Sequence, residues 1–465
     1  MTIKIFLPFL VVLMASCHLK HKLAELKSMN EGHMEAAHFL FSIPYDNSSD
    51  SAAIIYVNIN GKKRRFMIDT GAPLSISVAL QAELKCPIAF KTTLRDSNGD
   101  TSGIEIVRVP ELSIGDIKFR EVPALVMDLA QPVFLCDSID GLIGSNLLRS
   151  LAIQFNKPEQ RIYFADNADS FAITGKSIMT SMRLDEAQSN PIIAVRINGL
   201  MTDSTLYDTG DKTLYTVSNL MLDSFSGKPE MNVSILATGK GTSGQGVVAR
   251  FNNDFITRLA RIDSINIGTR DIQNIYTEPT PDNISRMGRG LWNYGLVTLD
   301  YPGKNFYFTP FREKQVAATP GGFGFKYQER NNKLLVTVVW NNSSAFALGL
   351  RPGDEILKFG NFIPANISRC DWEASCAHEA ASPQLQLEYR TASGKTHECQ
   401  LKRYDFDNAG LRDCSFAPTN TAGKNFSRQP LRNHQKSNQS TKKNHENNLP
   451  SDPVLLFDPG SFSGQ

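Results

Sequence analysis

Residues Phe66–Ser77 read FMIDTGAPLSIS: an apolar run delivers one acid, Asp69, into the tripeptide Asp-Thr-Gly, and small residues follow at once. A buried strand that ends by aiming a carboxylate outward needs something for that charge to meet. The chain supplies it by repeating itself. IIYVNINGKKRRFMIDTGA begins at Ile54 and PIIAVRINGLMTDSTLYDTGD begins at Pro191. Both read as an alternating strand, an Asn-Gly hairpin turn and a second strand running into Asp-Thr-Gly. Gly61 lies 8 residues before Asp69, and Gly199 lies 9 before Asp208. Downstream, LSIGDI from Leu112 answers INIGTR from Ile265, and FNKPEQRIYF from Phe155 answers LDYPGKNFYF from Leu299. An internal repeat of this kind predicts two homologous all-β lobes with Asp69 and Asp208 at equivalent places.

One acid per duplicated lobe generates a pseudo-two-fold axis on which loops from both lobes can meet. Two carboxyls brought that close cannot both ionise easily, so the pair holds one proton between them and titrates as a unit. Such a pair offers a base and an acid at once, with no metal and no covalent intermediate. Gly71 and Gly210 allow a tight turn and leave room for two backbones to approach. Thr70 and Thr209 carry hydroxyls able to bond across to the opposite loop. Between each Asp-Thr-Gly and its downstream Ile-Gly runs a Gly-rich polar stretch, DSNGDTSG from Asp96 and GKGTSGQG from Gly239. The first reads as a flap; the second fits a flap or an ordinary surface loop equally well.

These motifs resemble the aspartic peptidases over Phe39 to Phe311, pepsin-like in two fused lobes and retroviral-protease-like in short lobes and DTGA. The resemblance implies that Asp69 and Asp208 are the catalytic dyad, supported by Thr70, Gly71, Thr209 and Gly210. It also makes Leu142, Ile143 and Gly144 the apolar-apolar-Gly element beneath the first catalytic loop. The proton-sharing chemistry belongs to that family. Two departures lie in the second lobe. Asp211 stands where the family has Ala, Ser or Thr, adding negative charge unless a cation pairs with it. The counterpart of Leu-Ile-Gly is Arg286-Met287-Gly288, and Arg286 is the candidate cation. Ala72 offers a methyl where pepsins place a hydroxyl, so a working pH nearer neutral is expected. The rival reading is a catalytically inactive, peptide-binding scaffold. A third has two copies of the Asp69 loop meeting in a homodimer.

Other chemistries can be tested by counting. The eight histidines are His18, His21, His33, His38, His378, His397, His434 and His445, so none lies between Phe39 and Phe311. A Ser-His-Asp or Cys-His site, or a His-ligated metal, is excluded within the lobes, and no cofactor is expected. DKTL from Asp211 resembles the phosphorylated loop of ion-pumping ATPases only weakly. Formal charge of +2 from 49 basic and 47 acidic residues gives no reason to expect nucleic acid. With 41% hydrophobic residues in 465, there is material for about three domains.

MTIKIFLPFLVVLMAS at the start reads as a secretion signal, too short to span a bilayer. LMASC resembles a bacterial lipobox, which implies lipidation of Cys17; Met14 in place of Leu keeps an ordinary signal peptide as its rival. The expected location is therefore exported and membrane-anchored through the lipid alone, at the periplasmic face or cell surface. Cys86, Cys136, Cys370, Cys376, Cys399 and Cys414 permit disulfides there, most economically Cys86 with Cys136 and two among the last four.

After Pro320 the register changes. GGFGFKY, LLVTVVW and NNSSAFALGLRPGDEILKFGN read as strand, strand, then capped helix, Gly stop, turn and strand. This segment resembles a PDZ domain, which implies that Gly322, Phe323, Gly324 and Phe325 capture a peptide's terminal carboxylate. From Ala417 the composition turns to Asn, Gln, Ser, Lys and Pro, as expected of a disordered tail. The expected architecture is thus mainly β: a bilobal pepsin-like/retropepsin-like aspartic protease fold followed by a PDZ domain. Its parts are a signal peptide (1–16), linker (17–38), first lobe (39–170), second lobe (185–312), PDZ domain (320–405) and tail (417–465). The partners implied are a peptide or protein substrate and a C-terminal peptide.

Overall fold

Both lobes grow from their Asn-Gly hairpins. Asn60 (φ 50°) and Gly61 (φ 73°) take the left-handed backbone that a two-residue type I′ turn demands, joining strands Ile54–Ile59 and Lys62–Asp69. In the second lobe Asn198 (φ 50°) and Gly199 (φ 68°) do the same between Pro191–Ile197 and Met201–Asp208. There Ile197 faces Met201, so the connection is one residue longer, which accounts for the nine-residue rather than eight-residue spacing from Gly to Asp. The computed structural model describes residues 27–46, 53–95, 101–129, 134, 136, 138–171, 173–225, 227–241, 254–318, 321–372, 376, 379–405 and 454–455. The expected signal peptide, Cys17, both Gly-rich hairpin tips and nearly all of the tail lie outside them. Among the described residues no helix is long and apolar enough to cross a membrane.

The chain is mainly β, and the lobes join through one antiparallel sheet of six strands. From one edge to the other these are Leu40–Pro44, Arg161–Ala165, Ala152–Asn156, Gly295–Asp300, Asn305–Pro310 and Ile178–Leu184. The first three come from one half of the repeat and the last three from the other, so the pseudo-two-fold runs between Ala152–Asn156 and Gly295–Asp300. Ile153, Phe155, Ile162, Phe164, Val297, Leu299, Phe306 and Phe308 are all fully buried. Trp292 stacks on Phe155 at 4.6 Å and donates its indole N–H to the Tyr207 hydroxyl at 2.7 Å, while Phe306 meets the Tyr207 ring edge-on. Tyr207 immediately precedes Asp208, so aromatic packing on this sheet seats the strand that carries Asp208.

The third part, Gly321–Asp405, has its own core of Phe323, Val336, Leu350, Phe359, Leu385, Leu401 and their neighbours. Strands Phe325–Arg330 and Lys333–Trp340 pair across a left-handed Asn331-Asn332 turn, and the short helix Ser344–Ala347 is capped by the Ser343 hydroxyl. This unit holds both lobes. Strand Val233–Gly241 of the second lobe pairs with Lys333–Trp340, Gly239 opposite Trp340 and Gly241 opposite Val338. Gly239 and Gly241 are required there, since a Cβ on either would collide with the Val339 or Thr337 carbonyl. Towards the first lobe, Cys136 and Cys370 form a disulfide with Cα atoms 5.2 Å apart.

That bond corrects the expected Cys86–Cys136 pairing. Cys86 is 3% exposed, packed into the lobe core as a small apolar residue, and Cys86, Cys376 and Cys399 are thiols. The linker assigned to 17–38 is also corrected in part: His33–Glu35 adds an edge strand against Arg120, and Met29 is fully buried. Ile178–Leu184, left between the lobes by the sequence, is the edge strand of the joining sheet. In the tail, Val454–Leu455 pairs in parallel with Thr93 and Leu94.

The disulfide closes a loop with a sequence separation of 234. On the chain-entropy view its removal costs about 5 kcal/mol. Cys370→Ser is therefore expected to unfold at markedly lower denaturant, read by equilibrium urea unfolding with and without reductant, and reductant should lower the native protein's midpoint towards the variant's.

Candidate active site

Each Asp-Thr-Gly lies where an apolar strand is paired in parallel with the short strand that follows the hairpins. Phe66, Met67, Ile68 and Asp69 face Gly141, Leu142, Ile143 and Gly144; Leu206, Tyr207 and Asp208 face Arg286, Met287 and Gly288. Arg286-Met287-Gly288 is thus the register counterpart of Leu142-Ile143-Gly144. Gly144 and Gly288 lie against the backbone after each Asp-Thr-Gly: the Ser145 amide donates to the Ala72 carbonyl at 2.9 Å and the Arg289 amide to the Asp211 carbonyl at 2.8 Å.

On the axis the two loops interlock. The Thr70 amide donates to Thr209 Oγ1 at 3.0 Å, and the Thr209 amide donates to Thr70 Oγ1 at 3.0 Å. Each hydroxyl in turn donates across the seam, Thr70 to the Tyr207 carbonyl at 2.7 Å and Thr209 to the Ile68 carbonyl at 2.9 Å. Both threonines are fully buried, so all four groups would be costly to leave unmade. Gly71 and Gly210 donate to the Oδ1 of their own loop's acid at 2.9 Å. A Cβ on Gly71 would lie within 2.7 Å of both Asp208 carboxyl oxygens, and one on Gly210 within 2.9 Å of both Asp69 oxygens. Glycine here makes room for the opposite acid.

The structure brings Asp69 and Asp208 together as a hydrogen-bonded pair. Asp208 partners Asp69 from the same chain, in the seat that a second copy's Asp69 loop would need in a homodimer. Burial, then the Asp208 charge, and then its hydrogen bond to Asp208 hold the Asp69 carboxyl well above the usual range. Burial also raises Asp208, opposed by Arg286 and reinforced by the Asp211 charge. Asp208 keeps 15% of its side chain exposed, enough for water to reach it. Ala72 presents no hydroxyl to Asp69, as its sequence implies.

Several contributors had no signal in the motif. Ser145 Oγ donates to the Thr70 carbonyl at 2.7 Å and meets the Tyr301 hydroxyl at 2.8 Å. Asn146 Oδ1 accepts from the Leu74 amide at 2.6 Å. In the second lobe Arg289 replaces Ser145 and donates from Nη1 to the Gly210 carbonyl at 3.0 Å. Position after Gly144 and Gly288 was the only available clue. The expected pairing of Arg286 with Asp211 does not form. Arg286 instead ion-pairs with Asp282 and places Nε 3.5 Å from Asp208 Oδ2, while Asp211 accepts from the Thr213 amide at 2.8 Å and the Thr216 hydroxyl at 3.2 Å.

A second candidate site lies in the C-terminal unit. A cavity of about 370 Å³ is lined by Gly322, Phe323, Phe325, Tyr327, Phe359 and Arg403, among others, and Gly324 (φ 88°) turns the chain between the two phenylalanines. Strand Phe325–Arg330, whose Phe325 and Tyr327 line this cavity, pairs antiparallel with Lys333–Trp340.

Thr70→Val takes the buried partner from the Thr209 amide and the Tyr207 carbonyl, a loss of about 2–6 kcal/mol at about 1–3 kcal/mol for each group. Thr209→Val should cost a similar amount. Because both act through one network, the double variant is expected to cost clearly less than the two together, a coupling that a double-mutant cycle of unfolding free energies reads directly.

Among solved structures the chain is similar to a retropepsin-like aspartic protease from Rickettsia conorii, at 17% identity over 29% of this chain and 94% of that one, with a TM-score of 0.20. It is also similar to Basic 7S globulin from soybean, at 11% identity over 59% of this chain and 95% of that one, with a TM-score of 0.35. No curated protein matches it. Residues 55–147, the part of the first lobe that carries Asp69, Thr70, Gly71 and Gly144, match the family described as aspartyl protease.

Proposed function

We propose that the chain is an aspartic-type endopeptidase, with Asp69 and Asp208 as its dyad. The observation that carries this reading is the pair of half-buried, hydrogen-bonded carboxyls whose loops are held by reciprocal threonine bonds from two lobes. The match of residues 55–147 to the aspartyl protease family supports it. With one proton between them, the ionised acid takes a proton from a water as its oxygen bonds to the amide carbon, and the other acid protonates the carbonyl oxygen. The resulting gem-diol collapses when the first acid returns its proton to the amine nitrogen. The C–N bond then breaks, and the diol hydroxyl's proton goes back to the second acid. No metal enters this sequence.

In the same reading the C-terminal unit is a PDZ-type module that takes the terminal carboxylate of a peptide at Gly322–Phe325. The cavity bordered by Gly322, Phe323, Phe325 and Tyr327 is where that terminus would sit. Export, with a lipid on Cys17, belongs to this proposal too.

Each of Asp69→Asn and Asp208→Asn should lower kcat/KM by at least about 10²-fold against a mixed peptide pool read by mass spectrometry. Cleavage lost in both variants supports the dyad; a folded native protein that cuts nothing at any pH leaves the peptide-binding scaffold. The pH profile should be bell-shaped. Activity appears as the first proton leaves the pair and is lost as the second leaves, and because both acids are raised, the alkaline limb should lie well above the ordinary carboxylate range. For the groove, amidating a peptide's C-terminus should weaken binding to the full chain about tenfold, as expected when a charged hydrogen bond is lost, measured by fluorescence anisotropy.

A further inference from the structure

The two halves of the dyad share one strand register and differ sharply in what stands behind them. Behind Asp69 the parallel strand presents Leu142, which is 1% exposed. At the equivalent register behind Asp208 stands Arg286, 4% exposed, with Nε 3.5 Å from Asp208 Oδ2. Its other nitrogens reach Asp282, itself 1% exposed, and Thr280 Oγ1 at 3.4 Å. Its backbone is pinned by reciprocal amide bonds with Thr216 at 2.8 Å. A guanidinium cannot shed its charge, and burying one without partners would be prohibitive, so this cation is a permanent fixture of one side of the axis.

We propose that Arg286 decides which acid carries the shared proton: it holds Asp208 as the ionised base and leaves the proton on Asp69. Arg286 is a positioning residue in this scheme, acting on substrate only through Asp208. The assignment rests on the peptidase reading for its catalytic meaning, and on geometry for the proton's location. The charged groups around Asp208 among the described residues enter it. Arg286 is the cation lying against its carboxyl, and Arg289 lies over the Gly210 carbonyl and favours charge on Asp69 more weakly. Asp69 and Asp211 oppose ionisation of Asp208, and Asp282 draws off part of the Arg286 field, with Arg95 acting on Asp282 from the first lobe's flap strand. The roles in hydrolysis follow: Asp208 takes the proton of the attacking water, and Asp69 protonates the carbonyl oxygen. Two lobes related by duplication thereby acquire different duties from one apolar-to-basic difference in the strand behind the acid.

The test is a carboxyl 13C titration of full-length protein labelled at aspartate, with resonances assigned through Asp69→Asn and Asp208→Asn. In the native chain Asp208 should ionise first. In Arg286→Met the pair's first ionisation should move up by about one to two pH units, and Arg286→Lys should restore most of that shift. If Asp282 left without its cation prevents folding, Arg286→Met combined with Asp282→Asn removes both charges and should still move the ionisation upward. An unmoved ionisation in a folded charge-removed variant, or Asp69 ionising first in the native chain, would overturn the proposal. The acid limb of kcat/KM against pH should shift with the titration. A titration that shifts in a protein cleaving no peptide would keep the proton's assignment and defeat the peptidase reading instead.

Discussion

Four hydrogen bonds at one point on an axis organise this molecule. Thr70 and Thr209 each accept from the other's amide and donate to a carbonyl of the other's strand, in a place no water reaches. A seam of that kind tolerates no half measures, because losing one hydroxyl orphans groups in both lobes. The need to bring the loops so close explains the glycines at 71 and 210, where any side chain would meet the opposite acid. It also explains the joining sheet, which must hold two strands in a fixed relation. Tyr207, locked between Phe306 and Trp292, is the mechanical link from that sheet to Asp208.

Duplication supplies symmetry and later divergence spends it. Leu142 and Arg286 occupy one register position, as do Ser145 and Arg289, and Ala72 and Asp211. Every one of these differences adds charge to the second lobe. The buried cluster of Asp282, Arg286 and Asp208 is expensive to desolvate, and its members are satisfied only in combination. Such a cluster adds little net stability, which fits a role in setting where charge sits better than a role in holding the fold.

Much of this was legible from short-range signals. Asn-Gly between alternating strands predicts type I′ hairpins, and Asn60, Gly61, Asn198 and Gly199 adopt the backbone such turns require. The paired acids were visible because the same tripeptide closes the same pattern twice. What stayed hidden is non-local. Nothing in FNKPEQRIYF says that its strand lies between Leu40–Pro44 and Ala152–Asn156, or that the neighbouring half belongs to the other lobe. Economy of spacing favoured Cys86 with Cys136, yet Cys86 is held in a lobe core and Cys136 finds Cys370 on a different domain. Arg286, expected as the partner of Asp211, pairs with Asp282 and lies against Asp208 instead. Asp282, four residues back along the chain, has no motif to announce it.

The C-terminal unit is bonded covalently to one lobe and shares a sheet with a strand of the other, while the lobes share the six-stranded sheet beneath. Three bodies joined pairwise form a closed linkage. In an open chain of two lobes, a hinge lets one half swing freely against the other. In a ring, any swing at one joint must be matched at the other two, and each here resists, through a sulfur–sulfur bond, a backbone ladder and a packed core. The lobes are therefore braced against gross opening, and neither can turn on the axis without carrying the C-terminal unit with it.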